Sequence, residues 1–205
     1  MTATIGPVTE LVRIPLAVSF EAFLSTFTSQ LEPVLLAQDG ILSILTGVIV
    51  TNDNLKQPHA VSITQWESMD AHGVFLDSPA AKPFFAAMEP LATGPPAIEH
   101  YNLGNLTPAA LRSRFAHVSI FDSRGSISSQ QKVLERHISS RDGWERAAVA
   151  GSCVEVDGQS AVVLFSETDD FKTGEVGDGL VTSFVVRLER SEEKVTTLKS
   201  AQSNL

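Results

Sequence analysis

The sequence predicts an α+β fold that consists of two tandem copies of one unit, each with the element order βαββαβ. Hydrophobic residues alternate in short runs, as in strands, and recur at helical spacing in the longer segments between them. In addition, a strand-to-helix hinge occurs twice, as WESMD at residues 66–70 and as FSETD at residues 165–169. A chain of 205 residues has room for two such units, and we place them at residues 1–105 and 106–205.

The elements of the first unit follow from periodicity and from capping residues. Ser19 is predicted to cap a helix, and the Asp-Gly pair at 39–40 is predicted to end it. Asp70 is predicted to cap a second helix, which the Ser-Pro pair at 78–79 interrupts. In chain order the predicted elements are a strand (10–16), a helix (20–38), two strands (41–50 and 59–67), a helix (70–91) and a strand (97–103).

The second unit is predicted to be a shortened copy of the first. Residues 168–179, which stand where the first unit has its second helix, are rich in glycine and acidic residues and favour a loop. Asp157-Gly158-Gln159 indicates a hairpin between two short strands. After a linker (104–112), the predicted elements are a strand (114–122), a helix (128–150), two strands (151–156 and 160–167) and a strand (180–189).

Composition and charge exclude several classes of protein and argue against some kinds of partner. Hydrophobic residues make up 43% of the chain and charged residues 19%, which predicts a substantial core and excludes a disordered chain. The net charge is −9 with no basic stripe, which argues against a nucleic-acid partner. No apolar run is long enough for a membrane span. Cys153 is the only cysteine, so no intramolecular disulfide can form and a cytoplasmic location is expected.

Several motifs of the first unit resemble those of one superfamily. They are the hinge Trp66-Glu67-Ser68, the helix start Ala71-His72 and the spacing Phe75…Ser78-Pro79…Phe84-Phe85. Together with the repeated βαββαβ order, they resemble the dimeric α+β barrel superfamily, in particular antibiotic-biosynthesis-monooxygenase-like domains in the tandem two-unit form of fungal secondary metabolism. The resemblance covers most of residues 8–104 and, more weakly, 113–190. It implies two ferredoxin-like units whose strands close into one intramolecular, pseudo-dimeric α+β barrel, with ligand pockets between each sheet and its helices.

The resemblance implies a range of activities, because the superfamily includes cofactor-free oxygenases of polycyclic phenols, haem-degrading enzymes, isomerases, cyclases and stress proteins. Three hypotheses therefore stay open. The first is a cofactor-independent monooxygenase that deprotonates a hydrophobic aromatic or polyketide intermediate of secondary metabolism. The second is a non-redox cyclase or isomerase of such an intermediate, and the third is a non-catalytic ligand-binding or stress protein. The chain would act as a monomeric pseudo-dimer or as a homodimer.

Histidines are the main candidates for the catalytic base, because an imidazole titrates near neutral pH. His72 shares an apolar helix face with Phe75, although it could instead bond a backbone carbonyl. His100 lies in the middle of a predicted strand, where it faces either a cavity or solvent. His117 alternates with aromatic and hydroxyl side chains, a mixed face that is compatible with a second site. The first unit is the preferred location, because only this unit is predicted to keep both helices.

Four further residues are predicted to bind the substrate. Trp66 either anchors the strand-to-helix corner or, as the oxygenase branch implies, positions a phenolic ring. Asn102 shares a strand face with His100 and offers an amide donor, while Phe75 and Phe27 either line an apolar pocket or fill it. The sequence contains no GxGxxG loop and no HxH, HExxH or CxxC pattern. It therefore predicts no flavin, nicotinamide or metal cofactor.

Overall fold

The structure is a computed structural model that describes residues 6–51, 57–122, 148–169 and 180–193. Its strands are β1 (Val8–Pro15), β2 (Ile41–Thr51), β3 (His59–Trp66), β4 (Ala97–Tyr101), β5 (Phe115–Asp122), β6 (Ala148–Ser152), β7 (Gln159–Ser166) and β8 (Leu180–Glu193). Its helices are α1 (Phe20–Thr26), α2 (Glu32–Leu36), α3 (Met69–Leu76), α4 (Ala81–Met88) and α5 (Pro108–Arg112). A π-helical turn (Phe27–Leu31) joins α1 to α2, and a 3₁₀ turn (Glu89–Leu91) follows α4. No helix in the described ranges is both long and apolar enough to cross a membrane.

The eight strands form one sheet in the order β4-β1-β3-β2-β8-β5-β7-β6, with antiparallel neighbours throughout. Each unit contributes four neighbouring strands, and the order in the second unit repeats the order in the first. The units join where β2 pairs with β8. The two outer strands also meet, since Tyr101 of β4 forms a bridge with Cys153, just beyond β6. Beside this bridge the Asn102 amide donates a 3.0 Å hydrogen bond to the Ser152 carbonyl.

The two faces of the sheet pack into different cores. Because side chains alternate along a strand, Val61 and Ile63 of β3 join a cluster shared by both units, whereas Ala60 and Trp66 pack under the helices of the first unit. This is the alternation predicted for residues 59–67. The shared cluster also includes Leu11, Tyr101, Val118, Val163 and Phe184. The helix-side cluster includes Phe20, Phe23, Phe27, Phe75 and Phe84.

Capping side chains explain where the helices of the first unit begin. Ser19 Oγ accepts the Ala22 amide at 3.2 Å, as predicted. The prediction that Asp70 caps the second helix is wrong, because Ser68 Oγ accepts the Ala71 amide at 3.1 Å and Asp70 lies in the first turn. The cap determines where α3 starts, and α3 carries one of the candidate histidines.

The region after residue 104 differs from the prediction in two places. The predicted linker contains α5, a short helix that Thr107 caps and Pro108 begins. Residues 148–150, predicted to end a helix, belong to β6 because they pair with β7. The rest of that predicted helix and nearly all of the predicted loop 168–179 lie outside the described residues.

The repeated hinge aligns differently from the prediction. Trp66 pairs with Val8, the first residue of β1, and Ser166 pairs with Phe115, the first residue of β5, so Trp66 corresponds to Ser166 and not to Phe165. Phe165 lies in the shared cluster, on the face of the sheet opposite the first unit's helix-side cluster. A shift of one residue along a strand exchanges the two faces of the sheet. With this register, β7 places Val162 and Leu164 on the face of the sheet opposite the shared cluster.

Candidate functional site

A cavity of about 830 Å³ lies between the helices of the first unit and its strands. Its wall is mainly apolar and includes Val12, Ile14, Phe27, Leu35, Phe75 and Phe84. Its polar side chains include Glu10, Ser62, Thr64, His72 and His100. None of the described residues that line this cavity is Lys or Arg. The volume suits a drug-sized ligand, and the lining favours an apolar one.

His72 and His100 form a hydrogen-bonded pair in the wall of this cavity. His72 lies in α3 and His100 in β4, and the distance between Nδ1 of His72 and Nε2 of His100 is 3.0 Å. Both residues are buried, with 5% and 7% of their surface exposed. The packing of α3 against the sheet thus brings together two imidazoles that are 28 positions apart in the sequence.

Glu155 belongs to the hairpin between β6 and β7 of the second unit, and it holds His100 in place. One carboxylate oxygen of Glu155 contacts His100 Nδ1, and the other accepts the backbone amide of His100 at 3.2 Å. The Val154 amide donates to the His100 carbonyl at 2.8 Å. The contact between the outer strands therefore allows the second unit to complete a site in the first.

Burial and hydrogen bonding set the ionisation of this network. Burial is the largest effect on Glu155 and raises its pKa, but the hydrogen bonds from His100 and Cys153 outweigh it, so the pKa lies below the ordinary value. Burial is also the largest effect on His72 and lowers its pKa, against the opposing charge of Glu10. At neutral pH, therefore, Glu155 is anionic and His72 is neutral.

Hydrogen bonds link the two imidazoles to Glu155. An ionised carboxylate can only accept, so Nδ1 of His100 donates to Glu155. Between the two imidazoles one nitrogen donates and the other accepts, and the tautomer of His72 sets the direction. In the tautomer in which Nδ1 of His72 donates, the basic nitrogen of this imidazole is Nε2.

Glu10 and Trp66 form the other end of the network. Oε1 of Glu10 lies 3.6 Å from His72 Nε2, while Oε2 accepts the indole N–H of Trp66 at 3.1 Å. Trp66 is fully buried, and its ring centroid lies 5.0 Å from that of His72 and 5.8 Å from that of Phe75. Trp66 therefore stands behind the cavity wall, where it orients Glu10 and supports His72.

The structure places the predicted site residues at different distances from the cavity. His72, His100, Phe27 and Phe75 line it. Asn102 does not reach it, because this residue lies beyond the end of β4 with its side chain exposed. The catalytic and binding roles predicted for these residues stay predictions.

His117 does not line this cavity and lies on β5 of the second unit. It is buried, and its Nε2 lies 2.5 Å from the Ser183 hydroxyl on β8. It faces away from the shared cluster, which takes Ala116 and Val118 from the same strand. The structure therefore does not bring His117 together with His72 and His100.

Two residues of the network escaped prediction from the sequence. Glu10 gives a weak signal, because strand alternation puts its carboxylate on the same face as Val12 and Ile14, among apolar residues. Glu155 gives no such signal, because its role depends on contact between strands at opposite ends of the sheet order. A charged residue such as Glu155 indicates a site only after the structure shows which strands lie next to each other.

Glu10, His72 and His100 are also the residues that could hold a metal ion. Each offers one ligand atom, and these atoms lie within 4.8 Å of one another. Two imidazoles and one carboxylate suit a divalent transition metal better than Mg²⁺ or Ca²⁺, which prefer oxygen ligands. The sequence patterns predicted no metal site, since these residues come from β1, α3 and β4 and fit no short motif.

Comparisons with known proteins show which folds this chain is similar to. No protein-family model matches the sequence, and no curated protein matches it. A proposed monooxygenase from Fusobacterium nucleatum has a TM-score of 0.65 at 10% identity, over 95% of this chain and 96% of that one. A proposed monooxygenase from Lactobacillus acidophilus has a TM-score of 0.61 at 13% identity, over 92% and 97% of the two chains. An anthrone oxidase-like protein has a TM-score of 0.60 at 10% identity, over 98% and 99%.

At these identities the similarity shows a shared fold. Because it extends over more than nine-tenths of this chain in each case, both units take part in it. The chain therefore shares its fold with these structures, and in this chain that fold is an α+β arrangement with an eight-stranded antiparallel sheet.

Proposed function

We propose that this chain is a cofactor-independent, monooxygenase-like enzyme of secondary metabolism that deprotonates a hydrophobic aromatic or polyketide intermediate. One observation carries the proposal: His72 lies in the wall of an apolar cavity of about 830 Å³, and its imidazole is hydrogen-bonded through His100 to Glu155. The similarity in fold to an anthrone oxidase-like protein supports an aromatic substrate. We expect this small molecule, and neither nucleic acid nor a membrane, to be the partner of a cytoplasmic enzyme.

We further propose that the two units form one pseudo-dimeric α+β barrel within a single chain. The repeated strand order, the pairing of β2 with β8 and the contact of β4 with the β6–β7 hairpin support this architecture. In such a barrel the second unit supplies what a second chain would otherwise supply. A monomer is then sufficient to assemble the network from Glu10 to Glu155.

The first step is proton transfer inside the mainly apolar cavity. Nε2 of His72 removes a proton from an acidic carbon or a phenol, and the resulting imidazolium is stabilised by Glu10, 3.6 Å away. The hydroxyls of Ser62 and Thr64 lie 3.0 Å apart in the same wall. They are suited to donate hydrogen bonds to the substrate oxygen on which negative charge develops.

The second step follows from the chemistry of the substrate. The carbanion of an electron-rich anthrone reduces molecular oxygen by itself, so the protein has only to generate and hold it. For an anthrone methylene, one atom of O₂ becomes the new carbonyl oxygen. The other atom leaves as water with the two methylene hydrogens, one of which passes through His72.

Oxygen uptake by the purified chain in the presence of an anthrone tests this proposal. We expect uptake that is lost in His72→Gln and retained in His59→Ala, since His59 bonds the Gln57 carbonyl and does not line the cavity. Conversion of substrate without oxygen uptake would indicate a cyclase or isomerase. If the protein accelerates neither process with anthrones, quinols or polyketide analogues, the enzyme proposal fails.

A further inference from the structure

We propose that Glu10, His72 and His100 also form a binding site for one divalent transition-metal ion, and that this ion blocks the proposed deprotonation. The inference goes beyond the proposed function and concerns the same side chains. A neutral imidazole has a single basic lone pair, so whichever nitrogen of His72 binds the ion, no free base is left. Metal binding and base catalysis are therefore mutually exclusive at this site.

The positions of the ligand atoms support the site. Nδ1 of His72 and Nε2 of His100 are 3.0 Å apart, and with metal–nitrogen bonds of about 2.1 Å they subtend an angle of about 90° at the ion. This is the angle between adjacent ligands of an octahedral ion. The carboxylate of Glu10 supplies the third ligand, and each of the three residues offers one ligand atom within 4.8 Å of the other two. The ion takes the place of the proton between the two imidazoles, and that proton moves to Nε2 of His72, which keeps the imidazole neutral.

Outer hydrogen bonds already orient two of the three ligands. Metal-binding histidines usually donate their second N–H to a carboxylate, and Glu155 is in this position at Nδ1 of His100. The indole N–H of Trp66 binds Oε2 of Glu10 at 3.1 Å and leaves Oε1 directed towards His72. Such an arrangement lowers the cost of ordering the ligands when the ion binds.

Charge and access also favour a cation. Two carboxylates, Glu10 and Glu155, lie at the two ends of the histidine pair, and no Lys or Arg is found among the described residues that line the cavity. The open cavity beside the triad leaves space for water at the remaining coordination positions.

Titration of the tag-free, full-length chain with Co²⁺ in a non-chelating buffer tests the inference. The Trp144→Phe background leaves Trp66 as the only tryptophan, so quenching of its fluorescence and the visible absorption of Co²⁺ report binding independently. We expect saturation at one ion per chain, loss of binding in Glu10→Gln and His100→Gln, and 10–100-fold weaker binding in Glu155→Gln. Glu67→Gln, an exposed carboxylate in the first unit, and His59→Ala should bind Co²⁺ as the parent does.

Several outcomes would overturn the inference. The absence of saturable binding would do so, as would full binding in Glu10→Gln and His100→Gln variants that circular dichroism shows to be folded. Glu155 lies on an exposed hairpin, so Glu155→Gln provides a test even if the buried variants do not fold.

Activity measurements separate this inference from the proposed function. Zn²⁺ should inhibit oxygen uptake and EDTA should restore it. Oxygen uptake without any Co²⁺ binding would support the proposed function and contradict the metal site. Co²⁺ binding without oxygen uptake would support the metal site and contradict the proposed function. Activity that disappears when metal is chelated would contradict the claim that the ion blocks the reaction.

Discussion

The two units share a strand order but present different side chains on the face of the sheet opposite the shared cluster. At three positions in register across β4, β1 and β3, the first unit has His100, Glu10 and Thr64. At the corresponding positions across β8, β5 and β7, the second unit has Val185, His117 and Leu164. The same backbone thus carries a cluster of polar groups in one unit and a histidine between two aliphatic residues in the other. The comparison teaches that the chemistry depends on a few register positions and not on the fold.

The second unit nevertheless contributes to the site in the first. Glu155 reaches His100 from the β6–β7 hairpin, across the contact between the outer strands. One unit therefore provides the cavity and both histidines, while the other provides the carboxylate that holds His100. The variants below test this division of roles, from the largest expected effect to the smallest.

His72→Gln and His117→Gln compare the two units most sharply. Loss of the basic nitrogen in His72→Gln should lower the rate of substrate deprotonation by about 10²–10⁴-fold, the range of general-base catalysis. His117→Gln should leave the rate unchanged, because His117 bonds Ser183 away from the cavity. Steady-state kinetics of both variants with an anthrone provides the measurement. Equal losses in the two variants would contradict the assignment of the site to the first unit.

Glu155→Gln tests the contribution of the second unit. The amide removes the negative charge that orients His100 and stabilises the protonated pair, so kcat should fall by about 10–100-fold, as for other residues that orient a functional histidine. The cavity does not contain Glu155, so KM should change little. Glu67→Gln is the matched control and should behave like the wild type. A change in KM with kcat preserved would argue against a positioning role.

Gly151→Ala tests the contact between the outer strands. A Cβ atom at Gly151 would lie 1.9 Å from the Asn102 carbonyl oxygen, so the β6 and β4 segments must move apart. We expect destabilisation by about 1–3 kcal/mol together with loss of activity, because Glu155 moves away from His100. Gly73→Ala in α3 is the control, since nothing lies within 4 Å of the added atom. Urea unfolding that shows equal stabilities for the two variants would contradict this contact.

His117→Ala should have the smallest effect of the series. It removes the hydrogen bond to Ser183, which we expect to cost about 1 kcal/mol of the free energy of unfolding without loss of activity. Urea unfolding and the oxygen-uptake assay measure the two quantities on the same sample. A loss of activity at preserved stability would place a functional site in the second unit as well.

The arrangement of the fold could largely be predicted from the sequence, because strand alternation and helix caps are local signals. The face alternation along β3 and the cap at Ser19 are examples. Local signals fail where two similar residues compete or where the register is ambiguous. Ser68 rather than Asp70 caps α3, and the second hinge is displaced by one residue, which puts Phe165 on the opposite face from Trp66.

The site could be predicted only in part, for a related reason. The histidines were identified by residue type, since few side chains titrate near neutral pH. Their partners were not identified, because contacts between residues 28 and 55 positions apart depend on the packing of α3 and on the meeting of the outer strands. Asn102 was predicted to be a site residue but does not line the cavity in the structure. The strand β4 ends at Tyr101, the residue before Asn102, and the Asn102 side chain is exposed.

The central claim is that His72 is a base acting on a ligand in the first-unit cavity. Anaerobic exchange of the methylene protons of an anthrone in D₂O, followed by NMR, measures this step directly, because without oxygen the carbanion can only take up deuterium. The wild-type chain should accelerate the exchange, and His72→Gln should return it to the rate of buffer alone. Exchange that the wild type does not accelerate, or that His72→Gln accelerates equally, would contradict the claim.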